Sequence, residues 1–237
     1  MTHPSITSND LRHIQLFDGL QDGVLSAVAQ VATALDLRPR EVLYRQGDAS
    51  NAAYVVISGR LRMIQHTREG ADVTMDVYGP GELLALTAAL SVSTHAGSCE
   101  ALNVARVLRL PNDAQYSLMG MSPDLMRRVV ALLLAQLRDA QDHMRELASE
   151  VAERRLARAV LRLAEKAGIK TGEQIRLDVP VTRQSLAEMS GTTLHTASRV
   201  LSIWHRAKWV YAGRESLTLL APRALQDIAE GQSASLR

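Results

Sequence analysis

The sequence predicts an α+β protein: an N-terminal antiparallel β-roll, jelly-roll-like, then one long dimerisation helix, then a C-terminal winged helix-turn-helix. Three observations carry this prediction. Between about Leu37 and Leu110 short β-like runs alternate with glycine-bearing turns, and from Pro123 the apolar period becomes helical. The segment Thr182 to Leu201 then reads as two short helices joined at a glycine, with a hairpin after it. The expected domains are residues 1–122, 123–151 and 152–237.

With 237 residues, 46% of them apolar and 22% charged, the chain is large enough to bury a full core, and disorder is excluded. The longest uninterrupted apolar run, Val129 to Ala135, is far short of the roughly 20 residues that cross a bilayer, so no membrane partner is expected. The start, Met1-Thr2-His3-Pro4-Ser5, is polar and has no apolar signal segment, which makes the cytoplasm the expected compartment. A lone cysteine, Cys99, rules out an intrachain disulfide, an iron–sulfur cluster and a structural zinc site.

The roll is read from its punctuation. Glu41 to Tyr44, Tyr54 to Ile57, Leu61 to Ile64, Val73 to Tyr78 and Asn103 to Leu110 are β-like, separated by Gly47-Asp48, Ser58-Gly59 and Gly79-Pro80-Gly81. Short strands at such spacing close into a roll or sandwich. Ahead of it, Asp22 to Ala34 has a helical pattern.

Beyond Pro123, the residues Met126, Val130, Leu133, Leu137, Ala140, Met144, Leu147 and Val151 recur at alternating spacings of four and three. That is an a/d seam, and a stripe this narrow is better buried against another helix than against a globular core. The competing reading packs the helix on the roll, because Val129, Leu132 and Leu134 widen the upper half of the stripe. Asp139, Asp142, His143 and Glu146 recur on the flank as a solvated coiled-coil edge, not a metal site. A further helix, Glu153 to Ala167, is expected to stop at Gly168.

Thr182 suits an N-cap, Gly191 the left-handed turn, and Thr192 the cap of the second helix. Ala187 is small where the two helices would cross, and Ala197 and Val200 face inward. A helix-turn-helix offers the second helix to the major groove of double-stranded DNA, which leaves Thr193, His195, Thr196, Ser198 and Arg199 to face outward. Arg199 is the best base reader, because a guanidinium can bond both acceptors on a guanine edge. Thr182, Arg183, Thr192 and Thr196 suit phosphate contacts. Lys208 to Leu219 supplies the wing, with Gly213 in its turn. Charge agrees: residues 1–148 carry 13 arginines, no lysine and 16 acids, whereas residues 149–237 carry 14 basic residues against 9 acids. The basic third is the part suited to a polyanion.

The order of these parts, with Gly47-Asp48, Ile57-Ser58-Gly59, Gly79-Pro80-Gly81-Glu82-Leu83 and the Thr182 to Leu201 motif, resembles the Crp/Fnr family of bacterial transcription regulators. The resemblance covers nearly the whole chain. It implies a homodimer, one helix-turn-helix per half-site of an inverted repeat, RNA polymerase as a partner if the protein activates, and a signal read by the roll. It also places the effector pocket at Gly81, Glu82 and Leu83 and at His95, Ala96 and Gly97. Members that bind cyclic AMP carry an Arg-Ser/Thr-Ala triplet where this chain has His95-Ala96-Gly97, and Thr-Ser where it has Ala140-Gln141. An imidazole does not replace a guanidinium fork on a phosphate, so cyclic AMP is not the expected effector. The iron–sulfur branch is closed by the missing cysteines. Haem is the family option that remains, with His13 or His95 as axial ligand. In the reading helix the family's Glu, two residues, Ser-Arg pattern is kept at Ser198 and Arg199 and lost at His195.

Two other function classes fit the sequence less well. A cupin-like metal enzyme on the same roll needs a His-x-His pair, which the chain lacks, and an effector-binding module without DNA leaves residues 182–219 without a purpose.

Overall fold

The computed structural model describes residues 6–66, 72–86, 91 and 93–231. These divide into two compact units: the described residues up to His66 with Tyr78–Asp139, and those of Thr67–Val77 with the chain from Ala140 onward.

The first unit opens with helices α1 (Ser8–Arg12) and α2 (Asp22–Val31). Helix α2 is shorter than its pattern predicts. Thr33–Leu37 forms strand β1 instead, because it pairs antiparallel with β8 (Ala105–Pro111) from Thr33 opposite Arg109 to Leu37 opposite Ala105. The long-range ladder outweighs the local helical period. The other strands of this unit are β2 (Val42–Tyr44), β3 (Ala52–Ser58), β4 (Leu61–His66), β6 (Leu83–Leu84) and β7 (Ser98–Ala101), while β5 (Asp72–Tyr78) belongs, all but Tyr78, to the second unit. The strands of this unit form two sheets, ordered β1-β8-β3-β6 and β2-β7-β4. Helix α3 (Asn112–Met121) follows β8.

Strand β3 is buried on both faces, and its alternation separates two cores. Ala53 and Val55 face a cluster with Phe17, Leu25, Val28, Leu108 and Leu118, while Ala52, Tyr54 and Val56 face one with Tyr44, Leu61, Cys99 and Val107 inside the roll. The long helix α4 (Pro123–Ser149) gives Leu125 and Val129 to the first of these clusters.

In the second unit, α5 (Ala152–Ala167) runs into a hairpin of β9 (Gly168–Thr171) and β10 (Gln174–Leu177). Helix α5 stops at Gly168, as the sequence predicts. Its φ of −87° is ordinary, and the residue is small because a Cβ there would strike the Ala164 carbonyl and the Ile175 side chain. Helices α6 (Arg183–Met189) and α7 (Leu194–Arg206), strands β11 (Val210–Ala212) and β12 (Leu217–Leu219), and α8 (Pro222–Glu230) complete the unit, with sheet order β11-β12-β10-β9. Its core is built on Leu156, Val160, Leu186, Leu201, Trp204, Leu219 and Leu225. The indole N–H of Trp204 donates to Glu153 at 3.0 Å. No helix among the described residues is long and apolar enough to cross a membrane.

Candidate nucleic-acid interface

Helices α6 and α7 are held at their ends by side chains that the sequence supplies locally. Thr182 caps α6: its hydroxyl accepts from the Ser185 amide at 3.0 Å, and Ser185 Oγ accepts from the Thr182 amide at 3.1 Å. Such a reciprocal box satisfies two of the otherwise free donors of the first turn. The turn passes through Gly191 at φ +57°, where a larger residue would be strained and would also collide with Leu147. The cap of α7 is Thr193, one residue later than the predicted Thr192; its hydroxyl accepts from the Thr196 amide at 3.1 Å. Thr192 instead donates its amide to the Ala187 carbonyl, closing the turn.

Helix α7 is divided sharply between core and water. Ala197, Val200, Leu201 and Trp204 are buried, while Thr193, His195 and Arg199 are exposed and Thr196 and Ser198 are half-buried. Arg183 is exposed at the head of α6, beside the half-buried Thr182, and Thr192 is half-buried in the turn. The predicted contact residues thus lie at the N-terminal ends of the two helices and along the free side of α7. Next to them, the wing turn is closed by the Gly213 amide on the Ser216 carbonyl at 2.8 Å. His205 Nδ1 accepts the Ala212 amide at 3.3 Å, and the His205 and Tyr211 rings meet at a centroid distance of 5.6 Å.

Two supports escaped the sequence reading. Arg155 of α5 donates to the Ser190 carbonyl at 2.9 Å, to the Gly191 carbonyl at 3.1 Å and to the Glu150 carbonyl, so one guanidinium ties the turn between α6 and α7 to the end of α4. Glu146 is buried, not a solvated edge residue: one guanidinium nitrogen of Arg162 bonds both its oxygens, at 3.0 and 2.8 Å. Arg158 pairs with Glu150 at 3.1 Å in the same cluster. Asp139 and Asp142 are exposed as predicted, Asp142 paired with Arg145. Neither support has a local signal, because each needs a partner on another element.

In the roll, Gly81 adopts φ +86°, its amide donates to Val56, and the Val56 amide donates to the Glu82 carbonyl. Leu83 packs in the cluster with Phe17 and Leu125, and it is Leu84 that faces the roll interior. His95 is buried, its ring stacked on Tyr44 at 3.8 Å and 13°, with Tyr54 a further 5.7 Å on. Burial lowers the His95 pKa and pushes the Cys99 thiol up to about 12, although a hydrogen bond with Tyr44 opposes the latter. Ala96 is exposed, and Gly97 is buried where a Cβ would meet the Ile64 carbonyl.

Comparison with known proteins agrees with both halves of this description. Residues 34–121 match the cyclic nucleotide-binding domain and residues 154–228 the Crp-like helix-turn-helix domain. The cyclic AMP receptor protein of Thermus thermophilus is 30% identical over 189 residues, 80% of this chain and 84% of that protein. The chain belongs to the Crp/Fnr family of transcription regulators. Another Crp/Fnr relative, the transcriptional activator protein Anr of Pseudomonas aeruginosa, is 26% identical over 198 residues, 83% of this chain and 80% of that one. The structure of FixK2 from Bradyrhizobium japonicum shares the Crp/Fnr fold at a TM-score of 0.71 and 24% identity, covering 84% of this chain and 97% of that one.

Against the Crp/Fnr pattern, the predicted seam is open. Met126, Val130, Leu137, Ala140, Met144 and Leu147 are exposed along α4 and Leu133 is half-buried, whereas Leu125 and Val129 on the adjoining face are buried. Val151, also exposed, lies past the end of α4 as the N-cap of α5. The histidines do not fit a haem. His95 is covered by the Tyr44 ring, and His13 is an exposed residue ending α1. The apolar cavity among Phe17, Leu83, Gln115 and Leu125 has about 30 Å³, room for a water or two and not for a porphyrin.

Proposed function

We propose that this regulator binds DNA as a homodimer, each copy presenting α7 to one half-site of an inverted repeat in double-stranded DNA, and that it works as a regulator and not as an enzyme. The observation that carries the reading is the division of α7: four apolar residues anchor it, and Thr193, His195, Ser198 and Arg199 lie on its free side. Arg199 reads a guanine, and Thr182, Arg183, Thr192 and Thr196 hold phosphates. The half-site base met by His195 differs from the one that a glutamate would select. The dimer reading is supported by the open seam from Met126 to Leu147, since a row of exposed apolar residues on one face of a long helix is costly in water and suits a second copy. RNA polymerase is a partner if the protein activates. Its place is the cytoplasm.

The signal is neither cyclic AMP nor one carried by haem. Buried and stacked on Tyr44, His95 favours its neutral form and is a poor partner for a cyclic phosphate, and the donor set for haem is unsuitable for the reasons given above. The test uses full-length protein and a duplex selected from a random pool. Affinity falls steeply with salt, and binding requires two half-sites about one helical turn apart. Arg199→Ala weakens binding and relaxes selection at one base pair per half-site; a loss equal across all sequences overturns the assignment. A protein that sediments as a monomer and ignores every duplex at low salt overturns the whole reading.

A further inference from the structure

The last turns of α4 bury a charge in the middle of an exposed stretch. Glu146 is 3% exposed although Arg145 and Leu147 on either side are exposed; Arg162 of α5 bonds both its oxygens, and Arg158 lies 3.8 Å from one of them. His143, one turn earlier, meets the same pair, its Nδ1 3.6 Å from Glu146 and 3.4 Å from Arg162. Such a pair is a weak source of stability, because desolvation offsets most of the attraction and an apolar pair of similar volume is often no worse. What it does supply is register: if α4 shifts on α5, the carboxylate is left buried and unpaired.

The register matters because of what lies at either end of it. Ala140, Met144 and Leu147, the lower part of the open seam, belong to the same compact unit as the reading helix. Leu147 lies against Gly191 in the turn before α7, and Arg155 joins that turn to the Glu150 carbonyl. The seam end of one copy is thereby fixed to its own reading helix, and two copies paired on the seam hold their reading helices at one separation and one rotation. One base pair more or less between half-sites shifts them by about 3.4 Å and turns them by about 34°. We infer that Glu146 is a positioning residue that, through Arg162, sets the number of base pairs the protein accepts between its two half-sites. The inference rests on the dimeric DNA reading proposed above and concerns the spacing of the half-sites, not the bases within them.

The test separates spacing from stability. Full-length protein selects a duplex from a random pool, and its two half-sites are then kept while the spacer is lengthened or shortened by one base pair. Wild type loses about tenfold in affinity on either change, the scale of one wrong base pair. Glu146→Leu combined with Arg162→Met replaces the ion pair by an apolar one and keeps the urea midpoint close to that of the wild type. Its loss on changing the spacer falls to about twofold, while a wrong base inside a half-site costs it what it costs the wild type. Glu146→Gln, which keeps the shape of the side chain, lowers the spacer discrimination in the same direction and decides the question if the double variant does not fold. Asp142→Asn, on the exposed flank of the same helix, leaves the discrimination unchanged. A folded variant that keeps the wild-type ratio between spacers, or wild type that accepts all three spacers equally, overturns the inference and leaves the DNA reading standing. Failure to enrich any duplex with two half-sites overturns the dimeric DNA reading and takes this inference with it.

Discussion

The β-roll hides its polar and aromatic side chains; the reading helix displays its own. His95, Tyr44, Tyr54 and Cys99 are stacked or hydrogen-bonded to one another in the roll, and burial shifts the ionisation of all four toward the neutral form. Thr193, His195 and Arg199 stand in water at the tip of α7. Interior groups answer to one another, so replacing one disturbs packing before it disturbs recognition. Groups at the tip answer to a partner, so replacing one alters recognition and leaves the fold standing.

The largest effect expected from breaking that division falls on the anchor beneath the tip. Trp204→Ala removes a fully buried indole and its bond to Glu153, and should destabilise the second unit by about 3–5 kcal/mol. Trp209 is then the sole tryptophan, so its fluorescence during urea unfolding reports that unit directly. A loss under 1 kcal/mol would mean that the core of this unit does not rest on α7.

Next in size is Glu146→Gln. The substitution keeps the shape of the side chain but takes the charge from the Arg162 bonds, at an expected cost of about 2 kcal/mol. Denaturant unfolding measures it. Asp142→Asn, at an exposed position paired with Arg145, should stay within about 0.5 kcal/mol. Equal costs at the two positions would restore the solvated-edge reading of Glu146.

The same contrast explains what the sequence makes legible. Strands β3 to β5, the helix α4 and the pair α6–α7 are all readable because their signals are local: alternation, helical spacing, a capping threonine, a turn glycine at 191. Strand β1 is not, because its identity is decided by β8 at the far end of the roll. The hairpin β9–β10 is hidden for a related reason: Gly168 reads locally as a helix stop, while its small size is demanded by Ile175 across the hairpin. Glu146 and Arg155 look like ordinary charged residues of amphipathic helices until the next element supplies their partners.

A smaller effect tests the tip itself. Thr193→Ala removes the hydroxyl that accepts the Thr196 amide, a loss of about 1 kcal/mol in stability. Because the same turn carries Leu194 and His195, its fraying should weaken binding to the selected duplex more than binding to a random one. Fluorescence anisotropy with both duplexes reads the difference. An equal loss on the two would place the cap among structural residues only.

The smallest effect belongs to the roll interior and appears only with pH. His95 has a folded pKa below its ordinary value because burial against Tyr44 disfavours the cation, and the nearby Asp48 only partly offsets this. As pH falls through about 6.5, the unfolded chain takes up this proton before the folded one does, so stability declines with falling pH until the folded group also protonates. At higher pH the contribution is flat. His95→Phe keeps a ring for the stack and removes the proton, so its stability at pH 5, measured by urea unfolding and followed by tyrosine absorbance, should lie closer to its value at pH 7.5 than the wild type's does. Identical pH slopes in the two proteins would mean that the imidazole reaches water, and with it the premise that the roll keeps its polar groups to itself would fail.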